Sequence, residues 1–304
     1  SCYHLNTDES MIKEITAKTL LSHDKNPDPW FGIQYNMNLY RGCSHQCIYC
    51  DSRSDCYQIE NFADTLVKTN ALELLRKELP GKRIKGTIGT GSMNDPYAPI
   101  EKKYQLTRGA LKIIAEFGFP VHVLTKSNLV SRDVDLLLEI QERSFALVSF
   151  TITTFDDVFG KKVEPGAPLV SERFAAMNFL ASQGVKVGVS LMPVLPFIED
   201  NWENINAIVN MASDNGAGHI LAAFGMTQRK GQQEYYYQKL DELFPGVREK
   251  HIRKFKNQYE CSANQSEQLQ TQFSKLCNRI GMSMKVPVYR PEQKFKQLNM
   301  FERI

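Results

Sequence analysis

A chain of 304 residues with 42% hydrophobic and 23% charged residues has the composition of a globular protein with an ample core. Its formal net charge of +3 is too mild to indicate a nucleic-acid partner, and no stretch approaches the roughly 20 apolar residues of a membrane span. Seven cysteines, three of them clustered, favour metal chemistry in a reducing compartment over a disulfide framework. We expect a cytoplasmic protein without a signal peptide.

In chain order, the residues predict an N-terminal arm, an alternating α/β region and an extension. Residues 1–34 mix charged residues with prolines and form the predicted arm. Beyond it, strand and helix periodicities alternate six times, which predicts parallel βαβ units. The predicted strands are 35–40, 84–89, 121–125, 147–153, 185–191 and 219–224, and the predicted helices are 61–79, 106–117, 131–140, 171–183 and one that follows a capping box at 200–203. The extension contains a further predicted helix, a polar one at 266–280.

Side chains along the predicted strands distinguish a barrel from an open sheet. A strand that is buried on both faces is usually apolar throughout. The strand 147–153 instead alternates an apolar face with a polar face of Ser149, Thr151 and Thr153. Small polar residues on one face favour a barrel whose lumen is open to a polar ligand over a doubly wound sheet.

The strongest chemical signal is the loop after the first strand, where Cys43, Cys47 and Cys50 lie within eight residues. An iron–sulfur cube normally takes four thiolates, so three local ones would leave one iron free to bind another molecule. A zinc knuckle stays an alternative, although it needs a fourth ligand and His45 sits too close in the loop to complete a tetrahedron comfortably. A disulfide with one free thiol would suit a secreted chain.

The Cys-x3-Cys-x2-Cys spacing, with Tyr49 just before the last cysteine, resembles the signature of the radical S-adenosylmethionine enzymes. The resemblance implies a [4Fe-4S] cluster on Cys43, Cys47 and Cys50, with S-adenosyl-L-methionine on the open iron. It implies reductive cleavage to a 5′-deoxyadenosyl radical, which needs an external one-electron reductant of the flavodoxin or ferredoxin type. It also implies a partial (β/α)6 barrel of the TIM type, here spanning 35–228, with the chemistry at the carboxyl ends of the strands.

Further motifs occur in the order typical of the spore photoproduct lyase group, which the chain resembles over residues 35–225. The resemblance implies that Lys126 pairs with the methionine carboxylate and that the threonines of the fourth strand hydrogen-bond the ribose. It assigns no function to the turn Glu164-Pro165-Gly166. The cofactor-binding residues that it implies are Tyr49, Gly91, Ser92, Lys126, Ser127, Thr151, Thr153 and Met192.

The chain also departs from the lyase pattern. Photoproduct lyases place a hydrogen-donating cysteine where Ser92 aligns, and a hydroxyl O–H is far stronger than a thiol S–H. Thymine-dimer repair is therefore not expected. Cys56 is the preferred alternative donor because it lies closest in sequence to the cluster, while Cys261 and Cys277 are further candidates; each can also be a buried structural thiol.

Residues on the loop after the second strand are predicted to meet the substrate. We assign Asp95 and Glu101 to the substrate pocket and Tyr97 to the catalytic residues. Because loops at the carboxyl ends of barrel strands carry the chemistry of such folds, all three are placed above the lumen.

The extension, residues 229–304, is a candidate cover for the substrate. Its basic run at 248–256 and the tyrosines at 235–237 could follow a nucleic-acid backbone and stack on bases, although such a run is more often a solvated helix face. The substrate is left open, with nucleic acid as one candidate. The alternative functions are a non-catalytic iron–sulfur protein for electron transfer or sensing, and a nucleic-acid-binding module with a zinc knuckle.

Overall fold

A computed structural model describes residues 11–57, 62 and 64–290. The outer parts of the predicted arm and extension, and residues 61 and 63 of the predicted helix 61–79, lie outside these residues. The strands are β1 (Ile12–Ile15), β2 (Leu21–His23), β3 (Ile33–Met37), β4 (Tyr40–Arg41), β5 (Thr65–Lys68), β6 (Thr87–Thr90), β7 (Val121–Thr125), β8 (Ala146–Thr151), β9 (Lys186–Leu191), β10 (His219–Ala222), β11 (Gly225–Thr227) and β12 (Glu260–Ser262). The α-helices are α1 (Ala71–Glu78), α2 (Glu101–Tyr104), α3 (Leu106–Phe117), α4 (Val134–Arg143), α5 (Asp157–Val163), α6 (Val170–Ser182), α7 (Trp202–Asp214), α8 (Gln232–Leu243), α9 (Val247–Phe255) and α10 (Ser266–Ile280).

The central element is a seven-stranded sheet with the order β10-β9-β8-β7-β6-β3-β2. Strands β3, β6, β7, β8, β9 and β10 run parallel, and β2 joins the edge in the antiparallel direction. Helices follow the parallel strands, as βαβ units require. The predicted α/β class and the partial (β/α)6 barrel are confirmed.

Apolar stripes on the helices cover the outer face of the sheet. Helix α3 buries Ala110, Leu111 and Ile114 against the core and ends at Gly118, where the sequence predicts its end. Strand β8 contributes Val148 and Phe150 to the same core. The alternation along the strand therefore separates an outer apolar face from an inner polar one.

The base of the lumen is closed by a small polar cluster. Ser149 lies between two imidazoles, with its Oγ 2.8 Å from Nε2 of His122 and 3.1 Å from Nε2 of His219. A Cβ on Gly188 would lie 2.1 Å from Cε1 of His219, so the glycine leaves room for this ring. Burial lowers the pKa of His122 to about 3, helped by repulsion from His219, and lowers the pKa of His219 to about 4.

The structure differs from the prediction near the amino end. The segment 61–79, predicted as one helix, contains strand β5 before the shorter helix α1, and β5 joins a separate sheet with the order β1-β5-β4. The predicted strand 35–40 is divided between the two sheets. Pairing with a distant strand decides the conformation here, since Ile12 lies opposite Thr65 in a parallel ladder.

Two predicted helix starts also differ. Ser131 lies within a 3-10 turn at Asn128–Asp133, so it does not cap the α-helix that follows. Helix α7 is capped by Asn201, whose side chain accepts a hydrogen bond from the Asn204 amide at 2.9 Å. Both shifts are of one turn or less, which is the usual uncertainty of helix ends.

The extension packs around the carboxyl ends of the last strands. Helix α10 has the predicted bounds, and α9 contains most of the basic run. A short antiparallel ladder pairs Met226 on β11 with Cys261 on β12, and so ties the extension to the barrel. Every helix in the described part of the chain is too short or too polar to cross a bilayer.

Candidate functional site

The three clustered cysteines face one large cavity at the carboxyl ends of the strands. Cys43 and Cys47 are buried and Cys50 is half-buried, and all three are free thiols. They line a cavity of about 1060 Å³ that also receives residues from strands β7 and β8 and from the extension. Strand β4 ends two residues before Cys43, so the short ladder with β5 holds the start of the loop.

The donor set fits an iron–sulfur cluster. Burial raises the pKa of Cys43 to about 12 and raises the pKa of Cys47 above its ordinary value, so bound iron must displace protons from these thiols. No group of three or more His, Cys, Asp or Glu side chains within the described residues is arranged around a single-ion position. A cube binds each thiolate through a different iron, so its ligands need not converge on one point.

The glycine turn after β6 brings the backbone to the cavity wall. Gly91 has φ +100°, and a Cβ at this position would lie 1.9 Å from the carbonyl oxygen of Leu124. Only glycine combines that conformation with that approach. Gly91 and the neighbouring Ser92 both line the cavity.

Asp95 joins three elements beside the cysteine loop. Its carboxylate accepts hydrogen bonds from the Thr125 hydroxyl at 2.7 Å, the Lys126 amide at 2.6 Å and the Tyr97 amide at 2.8 Å. It also lies 3.4 Å from Nδ1 of His45, whose ring nitrogens are buried and accept or donate no hydrogen bond within the described residues. Asp95 therefore lines the cavity, as predicted, while it anchors the end of β7.

Lys126 supplies a cation to the cavity. Its Nζ lies 5.7 Å from the centre of the Tyr49 ring and forms no ion pair within the part of the chain that the structure describes. Burial alone would lower the pKa of Lys126, but attraction by Cys47 and Glu164 raises the pKa above its ordinary value. The ammonium group is therefore charged and available to an anion.

The structure gathers most of the predicted cofactor residues. Ser127 is an exception because its hydroxyl caps a 3-10 turn by accepting from the Leu129 amide at 3.3 Å. Thr153 is another, since β8 ends at Thr151 and the Thr153 hydroxyl instead donates to Glu199 at 2.8 Å. The predicted cofactor residues in the cavity lining are Tyr49, Gly91, Ser92, Lys126, Thr151 and Met192.

Tyr97 and Glu101 lie in a buried ionic network beside the cavity. The Tyr97 hydroxyl donates to Asp133 at 3.0 Å, and Arg132 pairs with Glu101 at 2.7 Å and with Asp133 at 2.8 Å. Both predicted residues are 0% exposed and do not contribute to the cavity lining. Their contacts are those of groups that hold the loop after β6.

The remaining thiols occupy different environments. Cys56 is exposed on a 3-10 turn outside the cavity lining, and hydrogen bonds from Ser54 and Arg229 lower its pKa. Cys277 lies on α10 and is buried in the core. Cys261 lines the cavity, and burial raises its pKa to about 11.

The extension, a candidate cover in the sequence, supplies a cavity wall most of whose residues the sequence did not indicate. Its pairing with β11 places β12 and the start of α10 over the lumen, and only the helix had a local sequence signal. Among the described residues of the extension, those that line the cavity include no lysine or arginine. The wall residues are Glu260, Cys261, Ser262, Ser266, Glu267 and Gln270.

Part of the basic run has internal partners. Arg248 pairs with Asp241 at 2.5 Å, and Lys254 bonds to the Asn264 side chain at 2.8 Å. His251 and Phe255 are buried beneath the helix. The run is therefore an amphipathic helix with a basic outer face.

Comparison with known proteins identifies relatives of this site. The sequence profile of the Radical SAM superfamily matches residues 37–211. An uncharacterized protein of Mycobacterium bovis is 30% identical over 212 residues, or 67% of this chain and 62% of that protein, so the chain spans about three fifths of the length of that relative. An uncharacterized protein of Methanocaldococcus jannaschii is 35% identical over 199 residues, or 64% of this chain and 72% of that protein.

The Radical SAM Nalpha-GlyT isomerase of Pseudomonas phage M6 is 24% identical over 182 residues, or 60% of this chain and 37% of that protein. Among solved structures, a point mutant of spore photoproduct lyase superposes with a TM-score of 0.65 at 15% identity, covering 91% of this chain and 82% of the lyase. A likeness at that identity shows a shared fold. The resemblance predicted from the motifs is confirmed.

Proposed function

The chain belongs to the radical S-adenosylmethionine superfamily, and from that membership we propose an enzyme that reductively cleaves S-adenosyl-L-methionine at a [4Fe-4S] cluster. Cys43, Cys47 and Cys50 would hold the cluster. When bound, the two cofactors supply a 5′-deoxyadenosyl radical that takes a hydrogen atom from the substrate. The protein binds and orients the reactants and excludes water from them.

One observation carries the proposal. The three cysteines and most of the implied cofactor residues, drawn from separate parts of the chain, line a single cavity of about 1060 Å³. A non-catalytic electron-transfer or sensor protein would need the cysteines alone. It would have no use for the Lys126 ammonium group, which has no ion pair within the described residues, or for the close backbone approach at Gly91.

The lining residues divide the work of cofactor binding. Lys126 would pair with the methionine carboxylate, and Thr151 would hydrogen-bond the ribose. Tyr49 and Met192 would flank the adenine, and the bare backbone at Gly91 would allow close approach. Ser127 and Thr153 would contribute indirectly, because the Ser127 hydroxyl fixes the turn after β7 and the Thr153 hydroxyl fixes the segment after β8.

The organisation of the chain suggests where the substrate binds. We assign residues 1–34 to an arm, 35–228 to the barrel core and 229–304 to an extension that covers the substrate. The extension wall supports this assignment because it lines the same cavity as the cysteines. Asp95 would hold the end of β7 where it borders the cavity. Tyr97 and Glu101 would act indirectly, by holding the loop after β6.

The hydrogen donor is better placed at Cys261 than at Cys56. Cys261 lines the cavity as a protonated thiol, whereas Cys56 faces the outside. Transfer of its hydrogen atom to a substrate carbon radical forms a C–H bond, breaks the S–H bond and leaves a thiyl radical. One electron from the external reductant, of the flavodoxin or ferredoxin type, and one proton restore the thiol.

Nucleic acid is the first substrate class to test. One solved spore photoproduct lyase is complexed with a dinucleoside spore photoproduct, and it superposes with a TM-score of 0.63 at 15% identity over 88% of this chain and 79% of the lyase. The basic outer face of α9 favours the same class. The acidic residues of the extension wall would instead favour a ligand with a cationic group.

Anaerobic reconstitution tests the function. With dithionite and S-adenosylmethionine, the purified protein should bind about four iron atoms per chain and release 5′-deoxyadenosine. Bound zinc without iron would support the zinc-knuckle alternative. A stable cluster without 5′-deoxyadenosine would support the electron-transfer alternative, and repetition with candidate nucleic acids should raise the yield if they are substrates.

A further inference from the structure

The turn Glu164-Pro165-Gly166 lies directly behind the cysteine loop. We propose that residues 163–166, here called the rear brace, position this loop for cluster binding, an inference that rests on the proposed function. The brace follows α5 and leads into α6, so it belongs to the barrel and not to the loop that it contacts.

The backbone hydrogen bonds within the cysteine loop are long, although the Gln46 side chain also donates to the Cys43 carbonyl at 3.1 Å. The Gln46 amide reaches the Cys43 carbonyl at 3.4 Å, and the Cys50 amide reaches the Cys47 carbonyl at 3.3 Å. Both donor–acceptor distances exceed the range of roughly 2.7–3.2 Å that is usual for N–H···O hydrogen bonds. Contacts from outside the loop must therefore contribute to its shape.

The rear brace provides stronger backbone contacts on both sides of Cys47. The Ile48 amide donates to the Val163 carbonyl at 2.9 Å, and the Gly166 amide donates to the His45 carbonyl at 2.9 Å. These two bonds hold the residue after Cys47 and the residue two positions before it. The direction of the Cys47 side chain is thereby set by the brace.

Gly166 is packed against the backbone of the loop. A Cβ at this position would lie 2.0 Å from the carbonyl oxygen of Ser44 and 2.9 Å from Cα of His45. Backbone atoms cannot rotate away as a flexible side chain can, so a methyl group here must displace the loop or the brace. The close approach is what makes the 2.9 Å bond to His45 possible.

Glu164 connects the other end of the loop to the barrel. Its Oε1 accepts a hydrogen bond from the Tyr49 hydroxyl, and its Oε2 lies 2.5 Å from Nη1 of Arg173. Both charged side chains are 1% exposed. The Arg173 guanidinium also donates to the carbonyl oxygens of Thr151, at 3.1 Å, and Pro168, at 2.9 Å.

A buried ion pair is poor evidence for stability because desolvation offsets the attraction, but it fixes direction. Here the pair fixes the carboxylate that holds Tyr49, the residue just before Cys50. Outer contacts of this kind orient metal ligands and typically change metal affinity about 10–100-fold when removed. The rear brace is thus assigned a positioning role toward all three thiolates.

The test compares Gly166→Ala and Tyr49→Phe with a matched control, Gly160→Ala. Gly160 lies in α5 just before the brace, and its added methyl would meet only the side chains of Val170, at 3.0 Å, and Thr154, at 3.5 Å. Tyr49→Phe keeps the ring beside Lys126 and removes only the hydroxyl that donates a hydrogen bond to Glu164. Each reconstituted protein is mixed with a ferrous chelator, and the rate of iron release is recorded with the Tm of the metal-free protein.

We expect Gly166→Ala and Tyr49→Phe to release iron about tenfold faster than the unmodified protein. Gly160→Ala should release it at the unmodified rate, and the metal-free Tm of Tyr49→Phe should stay within about 5 °C of the unmodified value. If the brace had a purely structural role, the variants would lower the Tm of the metal-free protein and leave the rate of iron release unchanged. If Gly166→Ala does not fold, Tyr49→Phe decides the question.

Equal iron release in all the proteins, or equal acceleration by Gly160→Ala, would overturn the role of the rear brace. The proposed function fails by a different result, namely that the unmodified protein binds no cluster at all. The two failures are therefore distinguishable within one set of reconstitutions.

Discussion

The two ends of the barrel lumen use polar side chains in opposite ways. At the base, His122 and His219 bond the same Ser149 hydroxyl and close the lumen with protein atoms. At the top, His45 has a contact with the Asp95 carboxylate at 3.4 Å but no hydrogen bond, and Lys126 has no ion pair, within the described residues; both line the cavity. A buried polar group without a partner costs free energy, so such groups are expected where a ligand completes them. One end stabilises the barrel and the other is prepared for ligands.

The largest expected effect comes from removing a thiolate at the top. Cys47→Ser should reduce iron content after reconstitution from about four atoms per chain to below about one, because a hydroxyl is a poor ligand for cluster iron. Iron analysis of the desalted protein measures this. Cys56→Ser, on the exposed turn, is the control and should retain full iron content; a full cluster in Cys47→Ser would show that the loop is not its site.

Substitution of Gly91, in the glycine turn at the top of the lumen, should have the next largest effect. Gly91→Ala requires a residue with a side chain at φ +100° and places a Cβ 1.9 Å from a backbone oxygen, so we expect unfolding to become easier by about 3 kcal/mol. Gly81→Ala adds a methyl with no atom within 4 Å and should change the free energy of unfolding by less than about 0.5 kcal/mol. Urea titration of the metal-free proteins compares them, and equal midpoints would contradict the steric argument.

The histidines at the base of the lumen should make the free energy of unfolding depend on pH. The pKa of His122, about 3, and that of His219, about 4, lie below the unfolded value of about 6.5, so both rings are neutral when folded and gain protons on unfolding in acid. Stability is fully present above pH 6.5 and is lost as pH falls toward 4. Between pH 7.5 and 5 each histidine should cost about 2 kcal/mol of unfolding free energy.

His122→Gln cannot take up this proton and should remove about half of the pH-dependent loss. His23→Gln changes an exposed residue of the edge strand β2 and serves as the control. Denaturant unfolding at both pH values gives the comparison. A stability that is flat between pH 7.5 and 5 would show that the base is not a closed, water-free cluster.

The smallest effect should come from the free cation at the top. Lys126→Met should weaken binding of S-adenosylmethionine to the reconstituted protein about tenfold, or about 1.4 kcal/mol, because the carboxylate loses its charged partner. Calorimetric titration measures the affinity, and Lys102→Met on an exposed helix is the control. Unchanged affinity would assign Lys126 to a contact with another ligand.

Elements with strong local signals were predictable from the sequence. Helices α3 and α10 and strand β7 have the predicted bounds, because apolar periodicity and terminal glycines act over a few residues. The strand β5 within 61–79 was not predicted, since its partner β1 lies more than fifty positions away. A local pattern carries no information about such a partner.

The site shows the same division. Its cysteine loop was predictable because three ligands of one cluster lie within eight residues. Thr153 was misplaced because the alternation of side chains stops where β8 ends, two residues earlier than predicted. The sequence offered Cys261 only as one of three candidate donors and gave no signal for Glu267, because only the pairing of β11 with β12 brings both residues to the cavity.

By itself, the order of amino acids determined the superfamily and the parallel α/β repeat and indicated the three cysteines that we propose as cluster ligands, since each depends on spacings of a few residues. Only the tertiary structure decided which polar groups meet in the cavity, which are used up in buried networks such as that of Glu101, and what supports the cysteine loop from behind. The reason is physical: contacts between residues far apart in the chain depend on the packing of whole elements, and no short stretch of sequence specifies that packing.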